Sequence, residues 1–304
     1  VKGYHQVPMA DSDIPKTAII TPFGLFEYLF MPFGLKNAAQ TFQRLMDRLF
    51  RHLPFVFVYL DDILIASRSH AEHMQHLRQV FEILRDNGLQ INPGKCTFAA
   101  SSLSFLGHIV NAPGISPMKK HVEALLSFTP PSDVLQLQRF LGLINFYRRF
   151  LPGIAGKLKP LTDLLRGNPK QLEWSDTAAA AFTTAKTALV SATSLAHPSP
   201  NSVLSLAVDA SDTHVGGALQ QLKQGAWEPL AFFSRKLTQA EQKYSTFDRE
   251  LLAAFSAVRH FRFLLEGRPF RILTDHMPLT HAMHRVSPLW SARQVRHLAY
   301  ISEF

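Results

Sequence analysis

The run Phe55-Val56-Phe57-Val58-Tyr59-Leu60-Asp61-Asp62-Ile63-Leu64-Ile65-Ala66 sets two adjacent acids inside an otherwise apolar, β-prone stretch. Burying an uncompensated carboxylate is costly, so the pair belongs at a hairpin tip between two short strands. Two explanations fit Tyr59-Leu60-Asp61-Asp62 about equally well: acids that grip a cation, or ordinary turn chemistry. Strand alternation puts Phe57, Tyr59 and Asp61 on one face and Val58, Leu60 and Asp62 on the other. One hairpin cannot enclose paired cations, so such a site needs a further acid from a neighbouring strand.

The surrounding 304 residues, 46% hydrophobic and 11% aromatic, are enough for about two domains with sizeable cores. A formal charge of +9 favours a polyanionic partner. Part of that charge is concentrated: between Pro117 and Lys170 nine basic residues (Lys119, Lys120, Arg139, Arg148, Arg149, Lys157, Lys159, Arg166 and Lys170) face three acids (Glu123, Asp133 and Asp163). Such a face is either solvated or follows a phosphate backbone. The single cysteine, Cys96, excludes an intramolecular disulfide and a cysteine-based zinc cluster, which suggests a reducing compartment. No apolar run approaches a membrane span, and Val1 opens no signal-peptide pattern. The chain starts without Met and stops at Phe304 in mid-pattern, so a longer parent is expected.

Ala38, Phe42, Leu45, Met46 and Leu49 fall at helical spacing, with Lys36, Gln40, Arg44 and Asp47 on the other side. Leu77, Val80, Phe81 and Leu84 mark a second helix that Asn87-Gly88 should stop. His70, His73 and His76 lie on its polar side and read as a solvated face, since no carboxylate or cysteine completes a metal set. From Ser116 to about Gly167 the pattern turns helical, with Val134, Leu137, Leu141 and Ile144 as the buried stripe of a central helix. An Ala-rich helix follows over about Thr177 to Val190, and Ala196-His197-Pro198-Ser199-Pro200-Asn201-Ser202 reads as a linker. Beyond it come a strand through Leu204 to Asp209, more strands, a helix from about Thr246 to Leu265, and a strand through Phe270 to Asp275. Asp209, Glu250 and Asp275 thus recur in strand, helix, strand order; each alone reads as a cap or a bordering polar residue, while the trio suggests a metal-dependent nuclease site.

These residues carry a family resemblance. Tyr59-Leu60-Asp61-Asp62 resembles the Tyr-x-Asp-Asp box of reverse transcriptases, and Met31-Pro32-Phe33-Gly34-Leu35-Lys36-Asn37-Ala38-Ala39-Gln40-Thr41-Phe42-Gln43 resembles the gypsy-type LTR retrotransposon form of the template- and nucleotide-binding segment. Val1-Lys2-Gly3-Tyr4-His5-Gln6 is similar to the end of the first palm motif. Gly88-Leu89-Gln90-Ile91-Asn92 through Lys95-Cys96, and Phe105-Leu106-Gly107-His108, resemble two later ones. Phe140-Leu141-Gly142-Leu143 through Tyr147-Arg148-Arg149-Phe150 is similar to the thumb. Val208-Asp209-Ala210-Ser211, Phe247-Asp248-Arg249-Glu250-Leu251-Leu252 and Thr274-Asp275-His276 resemble the acidic motifs of the linked ribonuclease H.

The resemblance implies an α+β chain: reverse-transcriptase palm with partial fingers over 1–115, helical thumb over 116–170, connection over 171–200, and an RNase H-like α/β domain with a mixed sheet over 201–304. It implies RNA-directed DNA synthesis and hydrolysis of RNA:DNA hybrids, with paired Mg²⁺ or Mn²⁺ ions held by Asp61 and Asp62 and by Asp209, Glu250 and Asp275. Tyr4 would exclude a ribose 2′-hydroxyl, Phe33, Gly34 and Gln40 would line the nucleotide pocket, Lys95 would approach phosphates, and Arg148 and Arg149 would hold the duplex. Cys96 would be a small buried residue without chemistry. RNA template, DNA primer, hybrid and dNTP are the implied partners, with protease and integrase in the same Pol polyprotein, in a cytoplasmic virus-like particle or the nucleus.

Three departures accompany it. The family's first palm aspartate lies two residues before Val1, its fourth ribonuclease H acid is expected beyond Phe304, and Ala39 replaces the usual proline. The isolated 304 residues are therefore expected to show negligible synthesis and weak or no hybrid cleavage. The competing reading is a non-catalytic nucleic-acid-binding remnant of a decayed element. A stand-alone ribonuclease H leaves the motifs before Gly107 unexplained.

Overall fold

The computed structural model describes residues 3–167, 169, 171–282 and 290–304, so Val1, Lys2 and Lys170 lie outside the described residues. The chain divides into two compact units, Val1–Phe105 and Leu106–Phe304. The division falls before residue 116, where the sequence pattern turns helical.

In the first unit a hairpin of β1 (Ile19–Thr21) and β2 (Gly24–Phe26) precedes helix α1 (Ala38–Phe50). A second hairpin, β3 (Val56–Tyr59) and β4 (Asp62–Ile65), leads into α2 (His70–Asp86), and β5 (Ser102–Phe105) ends the unit. The helices form because their apolar spacing gives each one buried stripe: Phe42, Met46, Leu49 and Phe50 of α1 share a core with Val80 and Leu84 of α2, Met31 and Leu89. Ser69 caps α2 by accepting from the Glu72 N–H, and Gly88 at φ +69° ends it, letting the Leu89 N–H return to the Leu84 carbonyl. Phe81 lies partly outside this core, edge-on to Phe98. His76 departs from the solvated face expected of it: its ring stacks on Phe55 at 3.5 Å, and its Nδ1 and that of His73 meet the Ser67 hydroxyl.

The second unit begins with hairpin β6 (His108–Asn111) and β7 (Gly114–Pro117), then helices α3 (Lys119–Leu126), α4 (Val134–Phe146), α5 (Ile154–Lys157), α6 (Lys159–Asp163) and α7 (Asp176–Val190). Leu137, Phe140, Leu141 and Ile144 of α4 are buried, as the stripe suggests. The Ala-rich α7 closes this same core: Ala178, Ala181, Phe182, Ala185 and Leu189 are buried in it, with Phe182 4.5 Å from Phe140. Its small side chains let the helix approach closely, so the expected connector is part of the helical module. Leu195 is then clipped to β7 by reciprocal backbone bonds with Ile115. A Cβ on Gly114 would lie 2.1 Å from the Leu195 carbonyl oxygen, which only glycine permits.

Strands β8 (Leu204–Ala210), β9 (His214–Lys223), β10 (Ala226–Lys236) and β11 (Phe270–Leu273) form one sheet in the order β10-β9-β8-β11. The β8–β11 pair is parallel and the others are antiparallel, giving the mixed sheet. Helix α8 (Thr246–Leu265) lays Leu251, Ala254, Ala257, Val258 and Phe261 on Leu204, Leu206, Val215 and Leu219, while α9 (Met277–Ala282) and α10 (Ala292–Ser302) contribute Leu279, Leu298 and Ile301. The 196–202 segment is strapped to this sheet rather than free. The buried Gln221 amide accepts from the Ser199 N–H and donates to the His197 carbonyl, and Arg268 donates to the Ser199 and Ser202 carbonyls.

Gly217 is where β9 meets α8 most tightly, since a Cβ there would sit 2.9 Å from the Ala257 methyl. Gly217→Ala is therefore expected to destabilise by about 1–3 kcal/mol through overpacking. Chemical denaturation would register this as a lower midpoint; an unchanged midpoint would mean the helix can lift off at no cost.

Candidate active sites

The first acidic site is built on the β3–β4 hairpin. Tyr59 pairs with Asp62, leaving Leu60 and Asp61 as a two-residue turn. Residues directly opposite in an antiparallel pair share a sheet face, so Asp62 lies on the Tyr59 side. That corrects the expected alternation, which counts through the turn as if the strand were continuous. Leu60 adopts φ +51°, a left-handed conformation that costs a branched residue roughly 1–3 kcal/mol and persists only where its surroundings impose it. Gln43 of α1 supplies that constraint: its Oε1 accepts from the Leu60 N–H at 2.6 Å, and its Nε2 donates to the Val58 carbonyl at 3.2 Å and to Asp47 at 2.8 Å.

Backbone bonds bring the chain's start to this turn. The Met9 N–H donates to Leu29 and the Met31 N–H to Val7, so the 4–6 turn returns beside residues 28–33. A Cβ on Gly3 would lie 3.8 Å from the Asp61 carboxyl carbon, which places Asp61 beside Gly3, the residue that precedes Tyr4. The Tyr4 ring leans on Phe42 at 5.4 Å and on Phe33 at 5.5 Å, and His5 meets Phe33 edge-on at 5.1 Å. Phe33 is nonetheless 58% exposed, and Gly34 takes φ +91° beside it. Gln6 ties the first motif to a later one, accepting from the Gln90 N–H at 2.6 Å. Tyr4, Phe33, Gly34 and Asp61 are thus gathered at one place. Gln40 is exposed on α1, and Lys95 is exposed in a short turn capped by Asn92. Cys96 is half-buried, with its thiol directed at the Asn92 carbonyl, and so is less enclosed than expected. Gln43 went unassigned in the sequence because its three partners lie on different elements.

In the helical module Tyr147 is fully buried, donating to the Gly107 carbonyl at 2.7 Å and meeting His121 Nδ1 at 2.5 Å. Burial raises its pKa. Of the two arginines expected to hold a duplex, Arg148 donates to the Ser234 carbonyl of β10 and Arg149 lies over the Phe150 ring at 5.8 Å. The Ala155 N–H donates to the Ser234 hydroxyl, and Asp163 receives Lys159 at 3.1 Å, Arg166 at 3.3 Å and Lys236 of β10 at 2.6 Å. Burial alone would raise the Asp163 pKa, but hydrogen bonds from Lys236 and Lys159 outweigh it and hold the pKa below the usual carboxylate value. Part of the basic face therefore joins the module to the sheet.

The second acidic site forms where parallel strands end. Leu206 pairs with Ile272 and Ala207 with Leu273, so Asp209 and Asp275 each follow two residues beyond the same register position. Glu250 approaches from α8 and is only 4% exposed. Its pKa is pushed up to about 7, first by burial and then by the charges of Asp275 and Asp209, against a hydrogen bond from the Ala210 N–H. One carboxylate oxygen, Oε2, is buried without a partner, as is Nε2 of His276 beside Asp275. No group of three His, Cys, Asp or Glu side chains among the described residues is drawn together tightly enough to hold a metal ion as it stands. A divalent cation nonetheless suits this donor set, because it would satisfy the orphaned oxygen and cancel the repulsion among three acids.

Comparison with known proteins follows this division. Residues 1–110 match the family described as reverse transcriptase (RNA-dependent DNA polymerase), and residues 174–272 match the RNase H-like domain found in reverse transcriptase. The chain is 39% identical to the retrovirus-related Pol polyprotein from transposon opus of Drosophila melanogaster, over 99% of this chain and 31% of that protein. It is 33% identical to the transposon Tf2-3 polyprotein of Schizosaccharomyces pombe, over 99% of this chain and 23% of that protein. It thus spans about a third or less of the curated relatives it matches. Among solved structures, a foamy viral protease-reverse transcriptase in complex with RNA/DNA hybrid superposes with a TM-score of 0.83 at 23% identity, over 100% of this chain and 42% of that one. Both matched families generally depend on divalent metal ions. With two domains matched in order and relatives aligned from end to end of the chain, the protein is a reverse transcriptase segment joined to an RNase H-like domain, of the kind carried by LTR retrotransposon Pol polyproteins.

Proposed function

We propose that this chain is the central part of an enzyme that copies RNA into DNA and degrades the RNA of the resulting hybrid, using magnesium, with manganese as a substitute, at two separate sites. The observation that supports this best is Glu250: a buried carboxylate with an unpartnered oxygen, repelled by the charges of Asp275 and Asp209, weakens the fold unless a cation is bound there. Bound ions would supply charge neutralisation and an activated nucleophile. Asp61 and Asp62 would hold them at the hairpin tip, and Asp209, Glu250 and Asp275 at the sheet end.

The chain's own residues supply the rest. Tyr4, backed by Phe42 and Phe33, is a rigid wall against which a nucleotide sugar would rest, so that a 2′-hydroxyl collides with it. Gly34 lets backbone approach the nucleotide, Gln40 and Lys95 present exposed polar groups to base and phosphate, and Arg149 keeps a cation on the thumb's surface. The expected partners are RNA template, DNA primer, hybrid and dNTP, with protease and integrase in the same polyprotein and a cytoplasmic particle as the setting. A binding remnant without catalysis has no physical need for Glu250, since a neutral side chain would serve the fold better.

The test is primer extension and hybrid cleavage by a protein in which the chain carries the flanking Pol segments of its own reading frame. Both activities should require Mg²⁺ or Mn²⁺, and Asp209→Asn should abolish cleavage while leaving extension within about twofold, because the acids belong to separate sites. Hybrid binding that persists with neither activity would establish the remnant instead.

A further inference from the structure

We propose that Gln43 is a positioning residue for the polymerase site, a single amide that sets the direction in which the Leu60–Asp61 turn presents its acid; this rests on the polymerase reading above. Three observations meet at this side chain. The turn is strained, with Leu60 at φ +51°. Both backbone groups that Gln43 engages, the Leu60 N–H and the Val58 carbonyl, flank Tyr59 where the strand leaves the ladder. Asp47, one helical turn beyond Gln43 on α1, accepts from Nε2 and accepts only. It thereby fixes which end of the amide is which, turning the carbonyl oxygen toward Leu60.

The arrangement connects the helix that presents Phe42 to Tyr4 with the hairpin that presents Asp61 to Gly3. Rotating the turn about its strands would move the Asp61 carboxyl away from the Tyr4 wall while leaving the apolar core of α1 untouched. Gln43 therefore governs alignment rather than folding, and its acceptor oxygen is the part that matters. Among the described residues no other side chain bonds to the Leu60 N–H.

Two variants separate acceptor from bulk. Gln43→Met keeps the length and loses the acceptor; Gln43→Glu combined with Asp47→Asn keeps the acceptor and lets the amide introduced at position 47 donate to the second carboxylate oxygen, so that no two acceptors face each other. Amide hydrogen exchange reads the clamp itself: the Leu60 amide should exchange about tenfold faster in Gln43→Met than in the wild type, and the Gln43→Glu/Asp47→Asn pair should restore slow exchange. In the flank-extended enzyme, Gln43→Met should lower the maximal extension rate roughly ten- to a hundredfold at unchanged primer–template affinity, with the Gln43→Glu/Asp47→Asn pair recovering most of the loss. Equal exchange at Leu60 in all three proteins would overturn the clamp. So would a Gln43→Met enzyme that extends at the wild-type rate, or a loss confined to primer–template affinity. A wild type that extends no primer would instead refute the polymerase reading, leaving the exchange result to judge the clamp.

Discussion

Glu250→Gln is expected to stabilise the metal-free protein by about 3 kcal/mol at pH 8 while eliminating hybrid cleavage. The ordinary value for this carboxyl is 4.5 and the folded one about 7. Between those limits the native state holds a proton that the unfolded chain has released, so stability falls as pH rises through the window. The gap of 7 − 4.5 = 2.5 units, at about 1.36 kcal/mol per unit, gives the size of the loss. Glutamine never ionises and its carbonyl still accepts from the Ala210 N–H, so it escapes this penalty. Denaturation midpoints with chelator present should coincide for the two proteins near pH 4 and separate by pH 8, the variant being the more stable. Mg²⁺ should then raise the wild-type midpoint at pH 8 and leave the variant's unmoved. A variant that is less stable at pH 8 would mean that Glu250 is not held under repulsion.

In the flank-extended enzyme, Asp61→Asn should reduce DNA synthesis by on the order of 10³-fold, about 4 kcal/mol of transition-state stabilisation, with cleavage retained. Asparagine keeps the shape of the aspartate and suits turns, and Asp61 is exposed at the hairpin tip, so folding stability should change by less than about 0.5 kcal/mol. A catalytic loss without a stability loss separates a ligand from a structural acid. Primer extension beside a melting curve measures both, and synthesis at an undiminished rate would remove Asp61 from the reaction.

Short-range signals in the sequence were easy to read. Asp61 falls in the turn and Asp62 at the head of β4 because charge is costly deeper inside apolar strands, and α1 and α2 follow their apolar spacing. Asp209 and Asp275 could be suspected of meeting because each ends a β-prone run, and the parallel β8–β11 register places them level. Features that depend on distant partners were not legible. The Pro- and Ser-rich 196–202 segment has the composition of a linker, yet Gln221 and Arg268, remote in the chain, bind its carbonyls. The Ala-rich α7 carries too little apolar bulk to signal burial, although Phe140 lies against its Phe182. The bond from Arg148 to the Ser234 carbonyl was likewise hidden, because β10 lies far along the chain. Asp62 changed faces because a two-residue turn resets an alternation that holds only along a continuous strand.

The bonds from Arg148 and Ala155 to Ser234, and from Asp163 to Lys236, make the helical module and the mixed sheet a single caliper. A double helix lodged against one jaw would reach the other after an unvarying number of rungs. On the proposed function, the expected sign of it is RNA fragments whose lengths follow this gauge and not the letters of the strand.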